Sequence, residues 1–376
     1  MMAALLRLRS TFTSWNLADN IYNYSTRRYC TSSFAPPSAP PYDVLFCGSD
    51  AFACAALERL LGSTGVCRSI HVLTPPDVLH AWGARRMRVS PVKQLAEQKH
   101  VPVSTVPTEG LEAFTLPPSI CESKSPLLIT ASFGHRIPTS MLSHFPSTSL
   151  AINLHPSMLP DLRGAAPLQW AIARQYTQTG ITVQQLHPTH FDRGGILKQV
   201  IVNIPTSCTY PALVEELAPR GAELLVDVVA RLPECHAGLI PQDPTQATRA
   251  PKLAPRFSEI RWDAWDAAMI DARLRAFGYA QPLTTTLIPA SSQFNPAPCI
   301  IHEGHVLLET PSEAKSLEKP GQGVYVSHGG FLAFKTISGM YGITRIQTRG
   351  KPARLSQDWW RGFRDRADDQ GRIQFA

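Results

Sequence analysis

The chain has 376 residues, 44% hydrophobic and 17% charged, with a formal net charge of +7. That length exceeds a usual single domain of roughly 100–200 residues and supplies apolar side chains for more than one core. No uninterrupted apolar run approaches the roughly 18 residues that a membrane helix needs, and the eight scattered cysteines, with no C-x-x-C pair, fit a reducing compartment better than a disulfide framework.

The first 42 residues differ from the rest. Arg7, Arg9, Arg27 and Arg28 face one acid, Asp19, among many Ser, Thr and Asn residues and after an apolar start at Ala3 to Leu6. This is transit-peptide composition; a secretory signal would carry a longer Leu-rich stretch than the one broken here by Arg7 and Arg9. Processing is expected near Arg28-Tyr29-Cys30, and the Pro- and Ser-rich residues 32–41 read as a linker. The segment carries +3 of the formal charge and leaves +4 for the body, an excess that permits an anionic partner without demonstrating one.

From Asp43 onward the pattern is α/β. Residues 43–47 predict a strand, Gly48-Ser49-Asp50 a turn whose Ser or Asp caps a helix, and 51–61 that helix. A second strand at 69–74 leads into a long loop, 75–89, with Trp82, Arg85, Arg86 and Arg88. Loops of that length inside an α/β unit are commonly functional: arginines grip phosphates and a Trp stacks on a base, although a solvated basic loop fits the same residues. A helix at 92–98 and strands at 127–131 and 150–154 follow. Alternating strands and helices predict a mostly parallel sheet with ligands beyond the strand carboxyl ends. The single glycine at Gly48 is not G-x-G-x-x-G, which counts against a simple NAD enzyme.

A helix at 211–232 completes the first domain, and the Pro- and polar-rich residues 238–255, with Arg249 and Lys252, read as a linker. Beyond it come a helix at 265–277 and short extended runs at 284–288, 305–309, 323–326, 331–334 and 342–346, the pattern of a small β-barrel. Arg345, Arg349 and Lys351, with Arg354, suit an RNA backbone or a solvated charged rim.

The chemistry concentrates in Asn153-Leu154-His155-Pro156, followed at a distance by Asp192. When an amine attacks an acyl carbon, negative charge builds on the carbonyl oxygen and positive charge on the nitrogen, so a neutral donor and a proton acceptor are both needed. Asn153 donates without carrying charge, His155 hydrogen-bonds the oxygen or exchanges a proton near neutral pH, and Asp192 orients it or draws a proton through water. Asn153 and His155 stand two positions apart, so at the end of an extended strand they face the same way. Taken singly, each is also an ordinary turn or structural polar residue. His187 and His190 near Asp192 raise the question of a metal site, but Pro188 prevents a regular helix and no further ligand cluster stands nearby; no metal is expected.

The run from Asn153 to Pro160, with Arg163-Gly164-Ala165-Ala166-Pro167, Thr179-Gly180, and Phe191-Asp192 with Gly194, resembles the methionyl-tRNA formyltransferases, particularly the mitochondrial branch of eukaryotes. The resemblance spans roughly residues 43–365, through Phe46 to Ala53, Ser90 to Lys93 and Ala131 to Gly134 upstream, and more weakly through Ile260-Arg261-Trp262, Arg275-Ala276-Phe277 and Arg345-Ile346-Gln347 downstream. It implies a Rossmann-like formyltransferase domain with a C-terminal OB-like barrel. Its boundaries are a transit peptide and linker at 1–42, the catalytic domain at 43–236, a linker at 237–257, a tRNA-binding barrel at 258–366 and a tail at 367–376. It implies 10-formyltetrahydrofolate as formyl donor, bound by Ser132, Phe133, Gly134, Ser157, Met158, Leu159 and Pro160. Catalysis falls to Asn153, His155 and Asp192, and tRNA contacts to Arg85, Arg86, Arg88, Arg345, Arg349 and Lys351. The expected partner is initiator methionyl-tRNA, the expected site the mitochondrial matrix, and the expected state a monomer without a membrane. Two other readings stay open: a related folate enzyme passing formyl to water or a small amine, and a non-catalytic RNA-binding protein.

Overall fold

The computed structural model describes residues 41–79, 87–145 and 150–376. The presequence with its processing site, Trp82, and Arg85 and Arg86 therefore lie outside the described residues.

The chain enters on β1 (Tyr42–Gly48), whose seven residues are all buried, as a strand with both faces covered requires. Asp50 then caps α1 (Ala51–Leu61), accepting a hydrogen bond from the Ala53 amide at 3.1 Å; the helix has the bounds its periodicity predicts. β2 (Cys67–Thr74) follows, and two short antiparallel strands, β3 (Val78–Leu79) and β4 (Met87–Arg88), stand inside the predicted basic loop. Next come α2 (Pro91–Gln98), β5 (Val103–Thr105), α3 (Pro118–Cys121), β6 (Pro126–Ala131), α4 (Thr139–Leu142), β7 (Ala151–His155) and α5 (Pro167–Ala173).

Two strands that the pattern reading did not assign complete this sheet: β8 (Gln178–Gln185) and β9 (Ile196–Asn203). The sheet order is β5-β2-β1-β6-β7-β8-β9, parallel from β5 to β7 and antiparallel at β7–β8 and β8–β9. Along β1, alternate side chains enter different cores. Val44 and Phe46 join Ile129, Ile152 and the helices α1 and α5, along with α6 (Tyr210–Ala230), on one face. Leu45 and Cys47 join Leu128, Phe133, Ile137 and Met141 on the other.

After α7 (Leu232–Ala237), residues 239–257 run along the catalytic domain rather than bridging freely. The Arg163 amide donates to the Thr248 carbonyl at 3.0 Å, and the Ala250 amide to the Arg163 carbonyl at 2.7 Å. α8 (Ala267–Phe277) then packs against α5, where Trp170 meets the edges of Phe257 and Phe277 at 4.9 and 5.5 Å.

The remaining strands are β10 (Leu283–Ile288), β11 (Ala297–Leu307), β12 (Gln322–Val326), β13 (Phe331–Lys335), β14 (Met340–Thr348) and β15 (Arg354–Leu355), followed by α9 (Ser356–Arg361) and β16 (Arg372–Phe375). Antiparallel pairings run β11-β10-β16-β12-β13-β14 and return from β14 to β11, closing a six-stranded barrel with β15 added at β14. Two expectations need correction. The strand sought at 305–309 begins eight residues earlier, with Pro298 and Gly304 masking its pattern. The predicted tail at 367–376 holds β16, whose Ile373 and Phe375 are buried and whose Phe375 ring stacks on Phe334 at 4.5 Å; it is the strand that joins β10 to β12. No described helix is long and apolar enough to cross a membrane.

Candidate active site

A cavity of about 860 Å³ opens at the carboxyl ends of β1, β6 and β7, the edge where a parallel sheet leaves backbone ends and helix starts free for ligands. Its volume falls within the roughly 300–1,000 Å³ of small-molecule sites. Phe133, Ile137, Leu142 and Leu186 form an apolar wall on one face of the sheet; Phe52, Pro167, Leu168, Gln169, Tyr210 and Tyr279 line the opposite side.

Asn153, on β7, receives a hydrogen bond on Oδ1 from the Thr130 hydroxyl of neighbouring β6 at 2.8 Å. That bond fixes which end of the carboxamide is which: the oxygen is occupied and the NH₂ group is left for the cavity. His155, buried at the end of the same strand, points Nε2 at the Leu162 carbonyl, 3.1 Å away. A carbonyl only accepts, so Nε2 carries the proton of the neutral ring, and Nδ1 can donate only when the ring is an imidazolium. Nδ1 lies 3.5 Å from Asp192 Oδ1, too long for a strong hydrogen bond.

Asp192 is held in the left-handed region at φ 55°, which Asp tolerates better than most residues. Its Oδ2 accepts from the Gly164 amide at 2.9 Å and its Oδ1 from Gln184 Nε2 at 3.1 Å. Gln242, from the segment after α7, braces the same loop: its Nε2 donates to the Asp192 carbonyl at 3.0 Å, the Gly194 carbonyl at 2.7 Å and Gln184 Oε1 at 3.1 Å. Arg163 completes the chain by donating to Gln242 Oε1 from Nε and Nη2. Burial lowers the Arg163 guanidinium from its ordinary value, as does Arg193, while Asp192 opposes the shift. The same segment reaches His155 indirectly, because the Thr248 hydroxyl accepts from the Leu162 amide at 3.0 Å and donates to Asp161.

Glycine is required twice in this bracing. A Cβ on Gly194 would stand 1.7 Å from the Gln185 carbonyl oxygen, and one on Gly164, already at φ +127°, would stand 2.5 Å from the Ala250 oxygen. Gly194→Ala must therefore shift the Asp192 loop. We expect it to lower unfolding free energy by about 1–3 kcal/mol and to depress turnover as well, measurable by denaturant titration alongside kinetics.

Ser132, Phe133 and Gly134 line the cavity, with Ser132 and Gly134 at φ 47° and 76°. The Ser132 carbonyl accepts from the Ser49 hydroxyl, and the Ser49 carbonyl from Ser90 at 2.9 Å, which ties this loop to the β1–α1 turn. Asp50 also lines the cavity, its carboxyl pushed above the usual value by burial against the opposing hydrogen bonds of Ala53 and Ser132.

Ser157, Met158, Leu159 and Pro160, expected beside them, lie behind the strand end instead of on the cavity wall. Ser157 is fully buried and donates to the Asp161 carbonyl at 2.6 Å; its own carbonyl accepts from Thr182 at 2.7 Å, while Gln199 donates to the Leu159 carbonyl at 2.8 Å. Met158 fills the space over Gly180. The tight turn satisfies its polar groups internally and so faces inward. Arg88 lines the cavity; Arg345, Arg349 and Lys351 are exposed on the barrel, Arg345 beside Glu303 at 3.4 Å and Lys351 over the Phe363 ring at 5.2 Å.

The residues that sequence reasoning missed are Thr130, Gln184, Gln242, Tyr210 and Tyr279. For Gln184 a signal existed, since Thr182 and Gln184 place polar side chains on one face of β8 while Ile181 and Val183 occupy the other. Gln242 sits in a segment with no periodicity, and only its folded partners reveal it.

A buried carboxylate and imidazole beside an oriented amide, in a cavity with one apolar wall, is the equipment of acyl transfer. Comparison with known proteins agrees. The Formyl transferase family matches residues 44–229, and its C-terminal domain family matches residues 252–364. The chain belongs to the formyl transferase family. This formyl-transferring enzyme is 31% identical to methionyl-tRNA formyltransferase of Geobacillus thermodenitrificans over 85% of its own length and 94% of that protein. It is 29% identical to the human mitochondrial methionyl-tRNA formyltransferase, across 86% of this chain and 78% of the relative. Its fold is shared with an N-formyltransferase from Helicobacter canadensis solved with folinic acid and dTDP-3-aminofucose, at TM-score 0.56 and 17% identity, covering 82% of this chain and 99% of the other. A sugar 3N-formyl transferase, WlaRD, solved with dTDP and 5-N-formyl-THF, aligns at TM-score 0.54 and 15% identity over 84% of this chain and all of that one.

Proposed function

We propose that this enzyme transfers the formyl group of N10-formyltetrahydrofolate to the amino group of initiator methionyl-tRNA in the mitochondrial matrix. The observation that carries the chemistry is the set of Asn153, His155 and Asp192 at one cavity edge, with the Asn153 amide oriented by Thr130. The acceptor follows from the relatives, whose likeness runs through both sheets of the chain.

In the proposed mechanism the amine forms a bond to the formyl carbon while the carbonyl π electrons move onto oxygen. Asn153 NH₂ and the Nδ1–H of protonated His155 stabilise that oxyanion, and Asp192 balances the imidazolium. Collapse of the tetrahedral adduct re-forms the carbonyl and breaks the bond to N10; the proton lost by the amine, relayed through Asp192 and water, ends on N10. No bond to the protein forms. Ser132, Phe133, Gly134 and the apolar wall receive the donor's ring system, and Ser157 to Pro160 support the strand end from behind. The exposed Arg88, Arg345, Arg349 and Lys351 meet tRNA phosphates, and residues 43–236 and 258–366 act as catalytic and tRNA-binding domains.

The test is formylation with purified enzyme, N10-formyltetrahydrofolate and charged initiator tRNA, compared with elongator methionyl-tRNA and with donor alone in water. Preferential formylation of the initiator supports the reading. Folate release in water at the same rate would overturn it in favour of hydrolysis.

A further inference from the structure

At the mouth of the cavity two tyrosines from different parts of the chain stack face to face. Tyr210, first residue of α6, and Tyr279, just beyond α8, have ring centroids 4.2 Å apart and planes inclined by 12°. Gln169 on α5 anchors the pair by donating to the Tyr279 hydroxyl at 2.8 Å. Tyr210 covers one side of Tyr279, yet Tyr279 remains 49% exposed, so an aromatic face stands open where the barrel half meets the catalytic half. An exposed aromatic face on a cavity wall is a surface on which a planar ligand can stack. The surrounding charge is mixed but includes two exposed cations, Arg88 and Lys252, that line the same cavity.

The opposite wall already has the character of a folate ring site, being built from Phe133, Ile137, Leu142 and Leu186 of the other core. The tyrosine side therefore faces the second substrate. Resting on the assignment of an aminoacyl-tRNA acceptor, we propose that Tyr279, backed by Tyr210, is the platform on which the 3′-terminal base of the acceptor stacks. An aromatic ring accepts any base through its π face, and a cation beside it meets the adjoining phosphate. Stacking there holds the aminoacyl ester against the cavity edge that carries Asn153, so the platform governs capture of the acceptor and leaves the formyl donor untouched.

Steady-state kinetics with initiator methionyl-tRNA and N10-formyltetrahydrofolate as the varied substrates test this. Tyr279→Ala is expected to raise KM for methionyl-tRNA about ten- to a hundred-fold, the effect of losing one base–aromatic stack, with KM for the formyl donor at the wild-type value. Tyr279→Phe keeps the face and loses the hydroxyl's bonds to Gln169 and Tyr210, so it should stay close to wild type. Tyr279→Leu, apolar but without a π face, should behave like the alanine variant and serves if that variant folds poorly. A rise in KM for the formyl donor instead would assign the pair to folate and overturn the proposal, as would unchanged KM for the tRNA in both the alanine and leucine variants. Wild-type enzyme that fails to formylate methionyl-tRNA would overturn the acceptor assignment and the platform with it; wild-type turnover with an unaffected Tyr279→Ala variant removes the platform alone.

Discussion

Asn153→Ala should lower kcat by about a hundred- to a thousand-fold, the usual cost of removing one oxyanion donor, while the chain folds as before. The expectation rests on the Thr130 bond, which uses the amide oxygen and turns the NH₂ group into the cavity at no cost of reorganisation during the reaction. Because the formyl oxygen gains charge only as the amine attacks, the loss should fall on kcat, with KM for both substrates little changed. Asn153 is only partly buried, and replacing it strands a single hydroxyl, that of Thr130, which can turn to water. The melting temperature should therefore move by a few degrees at most, about the effect of one lost hydrogen bond. Turnover near that of the wild type would remove Asn153 from the oxyanion site.

The catalytic half was legible from its sequence wherever one physical signal dominated. β1, β2, β6 and β7 are short runs rich in aliphatic residues, and α1 carries both its cap and its period; each lies within a few residues of its expected position. Strand ends placed Asn153 and His155 together because period two is a local rule. What the sequence hid was long-range. β8 and β9 flank a loop of His, Pro and Asp residues that attracts attention to its chemistry, not to the strands it joins. β16 follows a stretch of charged residues and reads as a tail until the barrel supplies β10 and β12 as neighbours. The turn from Ser157 to Pro160 likewise reads as a pocket lip, since nothing local announces that Thr182 and Gln199, on two later strands, satisfy its polar groups from inside.

The segment at 237–257 was the largest hidden contribution. Composition reads it as a linker, yet it reaches both charged members of the site: Gln242 clamps the Asp192 loop, and Thr248 holds Leu162, whose carbonyl fixes the His155 tautomer. A connection that also sets active-site geometry couples the position of the barrel to the chemistry.

Asp192→Asn is expected to reduce kcat by about a thousand-fold or more, toward the upper end of what proton transfer contributes. The carboxylate accepts from two separate donors, Gly164 N on Oδ2 and Gln184 Nε2 on Oδ1. An asparagine can satisfy only one of them, since its NH₂ group must face the other donor. The substitution also removes the negative charge that faces His155 Nδ1, 3.5 Å away. The proposed oxyanion site then loses the counter-charge beside His155, and the departing ammonium proton loses its acceptor, so two contributions fall together and their sum is not additive. The loop should nonetheless keep its place, because Gln242 holds it through the backbone carbonyls of Asp192 and Gly194. That separates this variant from Gly194→Ala: Asp192→Asn should unfold near the wild-type denaturant midpoint and bind the formyl donor with near-normal affinity, whereas the alanine at 194 should lose stability and turnover together. Single-turnover formylation with saturating substrates gives the rate directly. A deficit smaller than about tenfold would be too little for a proton-transfer group and would leave Asp192 with a structural part only.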